Sequence, residues 1–196
     1  MPFYIGAAER LSDSDFARLA AKHGIEEAAL RAVNAVEARN SGFYSSGAVV
    51  CLYEPHIAYR LSGGNTRDKL VAAGIAYPHW GERPYPASSF PRIDKCSEIA
   101  GEEIAAQSTS WGLGQLMGFN FRAAGYDSAV DMVTAFAASE ANQLEGMIGF
   151  IQANEAMAKA LSDHDWAMFA RCYNGAGYAQ NGYDRKLAAA YERFGG

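Results

Sequence analysis

Residues 30–61 read LRAVNAVEARNSGFYSSGAVVCLYEPHIAYRL, and this stretch decides the fold. Its first part carries apolar residues at helical spacing, and the polar, glycine-containing run Asn-Ser-Gly then ends the helix. Strand-forming residues follow over 48–54, and the segment 56–61 completes a predicted β-hairpin. The stretch therefore predicts a helix that ends near Glu37 and leads into a small β lobe that carries a second acid, Glu54.

Glu37 is poorly placed for the stability of the helix itself. The C-terminal end of a helix macrodipole disfavours negative charge by roughly 0.3–1 kcal/mol, and Glu37 also lies beside the apolar stripe. A carboxyl held against apolar surface is harder to ionise, and a general acid working near neutral pH needs that raised pKa. Two interpretations stay open, a general acid or a solvated carboxylate neutralised by Arg39.

The composition is that of an ordinary globular protein, with 49% hydrophobic and 20% charged residues. The 196 residues predict a single domain over 1–196, and the net charge of −5 argues against nucleic-acid binding through a general electrostatic grip. The N-terminus lacks the pattern of a signal peptide, and no apolar run approaches about 18 residues, so we expect no membrane span. The three dispersed cysteines indicate reduced thiols, and we expect no metal and no other cofactor.

The rest of the chain is predicted to be mainly helical. Residues 62–96 are irregular and rich in proline and aromatic residues, which favours either an ordered functional flap or a plain surface loop. Helices are predicted over 12–22, 25–38, 97–108, 111–123, 128–153, 155–162, 163–172 and 184–194.

Two motifs carry residue types that suit a sugar ligand. The run SWGLGQLMG at 110–118 places three glycines in a predicted helix, at a cost of about 1 kcal/mol each, so a bound chain or a crossing helix must come close to its backbone. The run YNGAGY at 173–178 combines aromatic rings, which stack on sugars, with an amide that binds hydroxyls. Ordinary turn and cap chemistry explains the second run equally well.

Taken in order, four blocks resemble a known family. VEA and GF, then CLYEPHIAYRL, then SWGLGQLMGFNFRAAGY, then ARCYNGAGYAQNGYDRKLAAAYERF are similar to the N-acetylmuramidase domain of bacteriophage endolysins. The pattern also resembles, more distantly, goose-type lysozymes and soluble lytic transglycosylases. The resemblance covers residues 12–194 and implies a lysozyme-like, mainly helical α+β fold with a small β-hairpin lobe. It also implies cleavage of the β-1,4 bond between N-acetylmuramic acid and N-acetylglucosamine, with peptidoglycan glycan strands as the partner.

The resemblance also implies roles for particular residues. Glu37 would give its proton to the glycosidic oxygen, and Glu54 is the candidate second carboxylate that positions or deprotonates water. Residues expected to bind the sugars are His56, Trp111, Gln115, Tyr173, Asn174 and Tyr178. One departure is Gly114, which stands where relatives often carry a large residue, and this change is expected to alter one subsite.

Three alternatives stay open. Glycoside cleavage by two carboxyls depends on the distance between them. If Glu54 lies too far from Glu37, a hydrolase would need another acid, and the candidates are Asp68, Asp94 and Glu98. A lytic transglycosylase would instead use Glu37 alone and leave 1,6-anhydro-muramic products.

A domain that grips peptidoglycan without cutting it is the third alternative, and the intact acid at Glu37 argues against it. We further expect a monomer, made in the host cytoplasm without a signal peptide, that acts on the cell wall after release. An extra wall-binding domain, common in such endolysins, is not expected in this chain.

Overall fold

The structure is a computed structural model of the chain and describes residues 2–38, 41–175 and 177–196. The elements in chain order are α1 (Asp13–His23), α2 (Glu27–Glu37), β1 (Cys51–Tyr53), α3 (Pro55–Leu61), α4 (Gly64–Ala72), α5 (Phe90–Ala100), α6 (Glu102–Gln107), β2 (Thr109–Trp111), β3 (Leu116–Met117), a 3₁₀ turn (Gly118–Asn120), α7 (Ala129–Ala138), α8 (Glu140–Gln152), α9 (Glu155–Ser162), α10 (Trp166–Asn174), α11 (Tyr178–Asn181) and α12 (Tyr183–Arg193). The predicted fold class, mainly helical with a small β component, is confirmed.

The first two helices form as their sequence predicts. Ser12 and Asp15 make a reciprocal capping box at the start of α1, and Gly24 ends the helix with a left-handed φ of 64°. On α2, Leu30 and Val33 are buried at helical spacing, so the apolar face points into the protein. The helix ends at Glu37, which leaves this carboxyl at the point where the chain turns towards the sheet.

The sheet is antiparallel with the order β1-β2-β3, and Cys51 pairs with Trp111. The predicted pairing of 48–54 with 56–61 is therefore wrong, because the partner of β1 lies far along the chain. Pro55 takes the first position of helix α3, where its fixed φ is favourable and its missing N–H costs nothing. Glu54 accordingly occupies the N-cap of a helix rather than a hairpin strand.

The glycine-rich segment is also different from its prediction. Residues 109–117 form the β2–β3 hairpin, so the helix predicted over 111–123 is wrong. Gly112 has a φ of 72° and Gln115 a φ of 49° at the turn. Both values lie in the left-handed region, which an α-helix does not use.

Several helix boundaries differ from the predicted ones, because polar residues and glycines end the helices. Gly101, with a φ of 89°, separates α5 from α6. Ser139 divides the predicted helix 128–153, because its hydroxyl accepts a hydrogen bond from the Asn142 N–H at 3.1 Å and caps α8. Within the predicted loop 62–96, helix α4 and the start of α5 leave a shorter connection over 73–89.

Two apolar cores stabilise the molecule. The first surrounds the sheet and includes Trp111, Tyr53 and Phe136. The second joins α1 and α2 to the C-terminal helices and includes Leu30, Phe169 and other buried residues of α8–α12. Glu37 lies at the end of a helix of the second core, and Glu54 follows a strand of the first, so the candidate acids belong to different regions. That one domain spans 1–196 stays a prediction.

Within the described part of the chain, no helix is both long enough and apolar enough to cross a bilayer.

Candidate active site

Glu37 is a partly buried carboxyl held by a neutral side chain. Its Oε1 accepts a hydrogen bond from the Asn174 Nδ2–H at 2.8 Å, across 137 positions of sequence. Asn174 is the last residue of α10 and Glu37 the last of α2, so the two side chains meet at the C-terminal ends of their helices. The structure thus brings together two residues that the family resemblance assigns to the site. Arg39, the residue expected to neutralise a solvated Glu37, lies outside the described residues.

Burial raises the pKa of Glu37 above its ordinary value. The hydrogen bond from Asn174 and the positive charge of Lys186 lower this pKa and offset part of the effect. The net direction is upward, so the protonated carboxyl persists to higher pH than that of an exposed glutamate. This is the property that a general acid requires.

Tyr173 forms one wall beside this acid. Its ring stacks on Phe169 at a centroid distance of 5.7 Å and meets the edge of Phe150 at 6.1 Å. Burial first, and the negative charge of Glu37 second, raise the pKa of Tyr173 above its ordinary value. Tyr173 therefore remains a neutral phenol that can donate a hydrogen bond close to Glu37.

Glu54 has a tyrosine hydroxyl and an imidazole close to its carboxylate. Its Oε2 accepts a hydrogen bond from the Tyr85 hydroxyl at 2.5 Å and lies 3.3 Å from Nδ1 of His56. The side chain of Glu54 is only 13% exposed. Burial first, and the hydrogen bond to Glu54 second, raise the pKa of Tyr85, so Tyr85 stays protonated as a donor. A hydrogen bond donated by Tyr85 suits a carboxylate that acts as a base or orients water.

Gln115 lies at the turn of the β2–β3 hairpin, where neighbouring residues hold its side chain. Side chains alternate across a strand, and Leu52 pairs with Ser110. Ser110 Oγ approaches Gln115 Oε1 at 3.3 Å, and Gln115 Nε2 donates to the Gly112 carbonyl at 2.9 Å. Gln115 is held in a left-handed conformation that costs energy for a side chain. Its amide is therefore fixed at a partly exposed position beside the sheet.

Trp111 does not have the role expected for it. Its side chain is 0% exposed, and its Nε1–H donates to the Ala106 carbonyl at 2.9 Å. It pairs with Cys51 on the buried side of the sheet, because strand alternation turns residues 109 and 111 away from Ser110. The expectation that Trp111 lines the groove is wrong, and its function is to pack the first core.

The chain itself explains the glycines of this hairpin. A Cβ at Gly112 would lie 2.7 Å from Oε1 of Gln143, and a Cβ at Gly114 would lie 2.6 Å from Sδ of Met147. A Cβ at Gly118 would meet the Ala106 carbonyl at 1.9 Å. Of the two explanations, close packing against helices accounts for these glycines without a bound chain. Met147 fills the space beside Gly114.

The three alternative acids have other surroundings. Asp68, Asp94 and Glu98 are exposed on helices α4 and α5. Asp94 accepts a hydrogen bond from the Tyr4 hydroxyl at 2.7 Å, and Glu98 pairs with Lys95 at 2.8 Å. Glu54 is the more shielded carboxyl, which favours it over these three as the partner of Glu37.

Two residues near the acids were not predicted from the sequence to belong to the site. Tyr85 comes from the connection over 73–89, and Lys186 lies in the first half of α12. The aromatic content of the connection was the available signal for Tyr85, whereas nothing local distinguishes Lys186. Tyr178, at the start of α11, packs partly buried against the second core.

Comparisons with known proteins give the family and the fold. The family model described as N-acetylmuramidase matches residues 26–195. The fold is similar to the crystal structure of Burkholderia AP3 phage endolysin, with a TM-score of 0.82 and 38% sequence identity. This similarity covers 95% of the present chain and 72% of the endolysin chain. A comparison with curated protein sequences finds no match. The family match includes both Glu37 and Glu54.

Proposed function

The chain belongs to the N-acetylmuramidase family of peptidoglycan-degrading enzymes, and we propose that it cleaves the β-1,4 bond between N-acetylmuramic acid and N-acetylglucosamine. The observation that carries this proposal is the Glu37 carboxyl, partly buried, raised in pKa and held by the Asn174 amide. A domain that only binds peptidoglycan has no chemical need for such a carboxyl.

In the proposed first step, protonated Glu37 gives its proton to O4 of N-acetylglucosamine. The bond from this oxygen to C1 of N-acetylmuramic acid breaks, and positive charge develops at C1 and the ring oxygen. Asn174 is suited to hold the acid in this step. Its neutral amide orients Oε1 and leaves the second carboxyl oxygen for the proton, whereas a cationic partner would favour ionisation strongly.

In the second step, Glu54 takes a proton from water while the water oxygen forms the new bond to C1. The product is N-acetylmuramic acid at a free reducing end, and Glu37 is left ionised until it recovers a proton. Tyr85 holds the Glu54 carboxylate for this role through its hydrogen bond, and His56 lies beside it. The Gln115 amide and the Tyr173 ring supply polar and aromatic contacts of the kind that carbohydrate sites use.

The biological setting is part of the proposal. The similar solved structure is a phage endolysin, and we propose that this chain likewise acts on the bacterial wall after release from the cytoplasm. We propose that the protein is a monomer, because cleavage of one glycan strand needs no residue from a second copy of the chain.

Mass spectrometry of the muropeptides released from purified peptidoglycan tests the reaction. Fragments with reducing-end N-acetylmuramic acid would support the hydrolase. Fragments with 1,6-anhydro-muramic ends would overturn it in favour of a transglycosylase, and fragments with reducing-end N-acetylglucosamine would assign the other glycosidic bond.

A control separates cutting from binding. Glu37→Gln should bind peptidoglycan in a pelleting assay and release no fragments. If the wild-type protein also pellets with the wall but releases nothing, the domain is a binding module.

A further inference from the structure

Helix α8 begins with two buried polar side chains that the proposed reaction does not use. Glu140 is 6% exposed and Gln143 is 1% exposed. Burying a carboxylate or an amide is unfavourable unless hydrogen bonds compensate for the lost water. The hydrogen bonds of these two residues therefore show which segments of the chain they connect.

Glu140 binds the segment that follows Glu37. Its Oε1 accepts hydrogen bonds from the Gly42 N–H and from Arg10 Nη1, each at 2.8 Å. Its Oε2 accepts from the Leu11 N–H at 2.9 Å. One carboxylate thus joins the start of α8, the N-terminal segment and the turn five residues after the proposed acid. A neutral amide in its place has a single acceptor atom and cannot serve all three donors.

Gln143 lies one turn further along the same helix and connects that turn to the β2–β3 hairpin. Its Oε1 accepts from the Leu113 N–H at 2.8 Å, and its Nε2 donates to the Phe136 carbonyl at 3.0 Å and approaches the Gly42 carbonyl at 3.5 Å. A Cβ at Gly42 would lie 1.9 Å from this Oε1. The amide therefore sets how closely the turn and the hairpin approach each other.

The backbone continues this connection across the site. The Val50 N–H donates to the Gly42 carbonyl at 2.9 Å, and the Gly112 N–H donates to the Val50 carbonyl at 2.8 Å. The turn after Glu37, the residue before β1 and the hairpin turn that carries Gln115 form one hydrogen-bonded row. Both ends of this row contact Gln143, so a displacement of either end changes the spacing between Glu37 and Gln115.

We infer that Glu140 and Gln143 are positioning residues that fix the spacing between the Glu37 end of α2 and the hairpin that carries Gln115. This inference rests on the proposed function, because it assigns the pair a consequence for the reaction at Glu37. Neither residue contacts the Glu37 carboxyl in the described part of the chain. Glu140 acts through Gly42, and Gln143 acts through Gly42 and Leu113.

The first test is Glu140→Gln, which keeps the shape and removes the charge and one acceptor. The wild type must first be shown to release fragments from peptidoglycan. An inactive wild type would contradict the proposed function itself, and not the positioning role of Glu140. We expect kcat per folded molecule to fall about tenfold or more while KM stays within about twofold, since a small misplacement of a reacting group costs rate rather than ground-state binding.

The pH dependence distinguishes positioning from a general loss of stability. Groups facing Glu37 are Asn174 and Tyr173 from α10 and Lys186 from α12, and none of them is changed by the substitution. If the end of α2 shifts when Gly42 loses its contact with Glu140, water reaches the Glu37 carboxyl and its pKa falls towards the ordinary value. The alkaline limb of the activity profile should then move to lower pH.

The matched control is Glu103→Gln. Glu103 also accepts backbone N–H groups at a helix start, from Ala129 at 3.0 Å and Val130 at 3.2 Å, but it lies on α6 beneath α7. We expect this variant to lose thermal stability and to keep both kcat and the position of the alkaline limb. Gln143→Met, which keeps the volume and removes the polar contacts, should lower kcat as Glu140→Gln does.

Unchanged kcat and an unmoved alkaline limb in folded Glu140→Gln would overturn the inference. If that variant does not fold cooperatively, folded Gln143→Met makes the same test. Failure of both to fold under conditions in which Glu103→Gln folds would also overturn it, because the pair would then be structural only.

Discussion

The two candidate acids lie in contrasting surroundings. Glu37 ends a helix of the second core and accepts a hydrogen bond from a neutral amide, Asn174, while burial raises its pKa. Glu54 follows a strand of the first core and has a phenol and an imidazole at its carboxylate, Tyr85 and His56. One environment favours a protonated acid, and the other supplies a hydrogen bond from Tyr85 to the carboxylate. Different roles for two chemically equal side chains therefore follow from what surrounds them.

The sharpest test of this difference is Glu37→Gln. We expect activity to fall by about 10³-fold or more, within the range that general acid catalysis and its loss produce. Fragment release from purified peptidoglycan is the measurement. Substantial residual turnover, comparable with the wild type, would show that Glu37 is not the acid.

The same variant has a predicted effect on stability. Because the pKa of Glu37 is raised on folding, its contribution to stability is complete below the ordinary carboxyl pKa and is lost as pH rises through the folded value. Glu37→Gln removes this loss, so its melting temperature relative to the wild type should rise between pH 4 and pH 7, values chosen to span roughly that transition. A constant difference across this range would contradict the raised pKa.

Glu54→Gln should have the next largest effect. We expect about 10- to 100-fold slower hydrolysis, because the amide still accepts a hydrogen bond from Tyr85 but cannot take a proton from water. The measurement is the initial rate together with product mass spectra. A rate equal to the wild type, with anhydro-muramic products, would favour a mechanism in which Glu37 acts alone.

Asn174→Ala tests the environment of Glu37 without removing the acid. The hydrogen bond from Asn174 lowers the pKa of Glu37, so its loss should raise that pKa and move the alkaline limb of activity to higher pH. Activity should also fall about tenfold, since the carboxyl loses its orientation. Activity profiles measured against pH give both quantities.

Lys186→Met is the matched variant for that prediction. Its positive charge also lowers the pKa of Glu37, so its removal should move the alkaline limb in the same direction without a lost hydrogen bond. Movement to lower pH in either variant would show that the assigned causes are wrong.

Tyr85→Phe tests the environment of Glu54 and should have a smaller effect. The substitution removes the 2.5 Å hydrogen bond and leaves His56 beside the carboxylate. We expect a loss of about 1.5–3 kcal/mol in stability at most and a few-fold lower kcat, as for a hydrogen bond to a charged group. Phe substitution at Tyr44, whose hydroxyl makes a 3.3 Å contact to the Cys51 carbonyl, is a control. Equal effects of the two variants on kcat would remove the special role of Tyr85.

The sequence predicted the helical side of this comparison better than the sheet side. Helices α1 and α2 depend on capping residues and apolar spacing within a few turns, which a single sequence displays. The pairing of Cys51 with Trp111 is non-local, and no local pattern specifies which strand β1 will find. Residues 55–61 have the composition of a strand, but they form helix α3, whose first residue is Pro55.

The site follows the same division. The apolar setting of Glu37 was visible in the spacing of α2. Its contact with Asn174 crosses 137 positions and was not predicted, because the family resemblance assigned Asn174 only to the sugar-binding residues. Tyr85 and Lys186 were missed because their relation to the acids exists only after folding. Trp111 was misassigned because an aromatic residue in a glycine-rich motif has the same sequence signature in a core and in a groove.

Trp111→Phe distinguishes these two positions and should have the smallest effect on activity. A fully buried side chain that donates to the Ala106 carbonyl contributes to the first core, so its truncation should lower stability by about 1–3 kcal/mol, less than removal of the whole ring system. KM and kcat should stay within about twofold of the wild type, because no ground-state or transition-state contact is lost. Denaturant unfolding and initial rates are measured on the same sample. A raised KM with unchanged stability would return Trp111 to the groove.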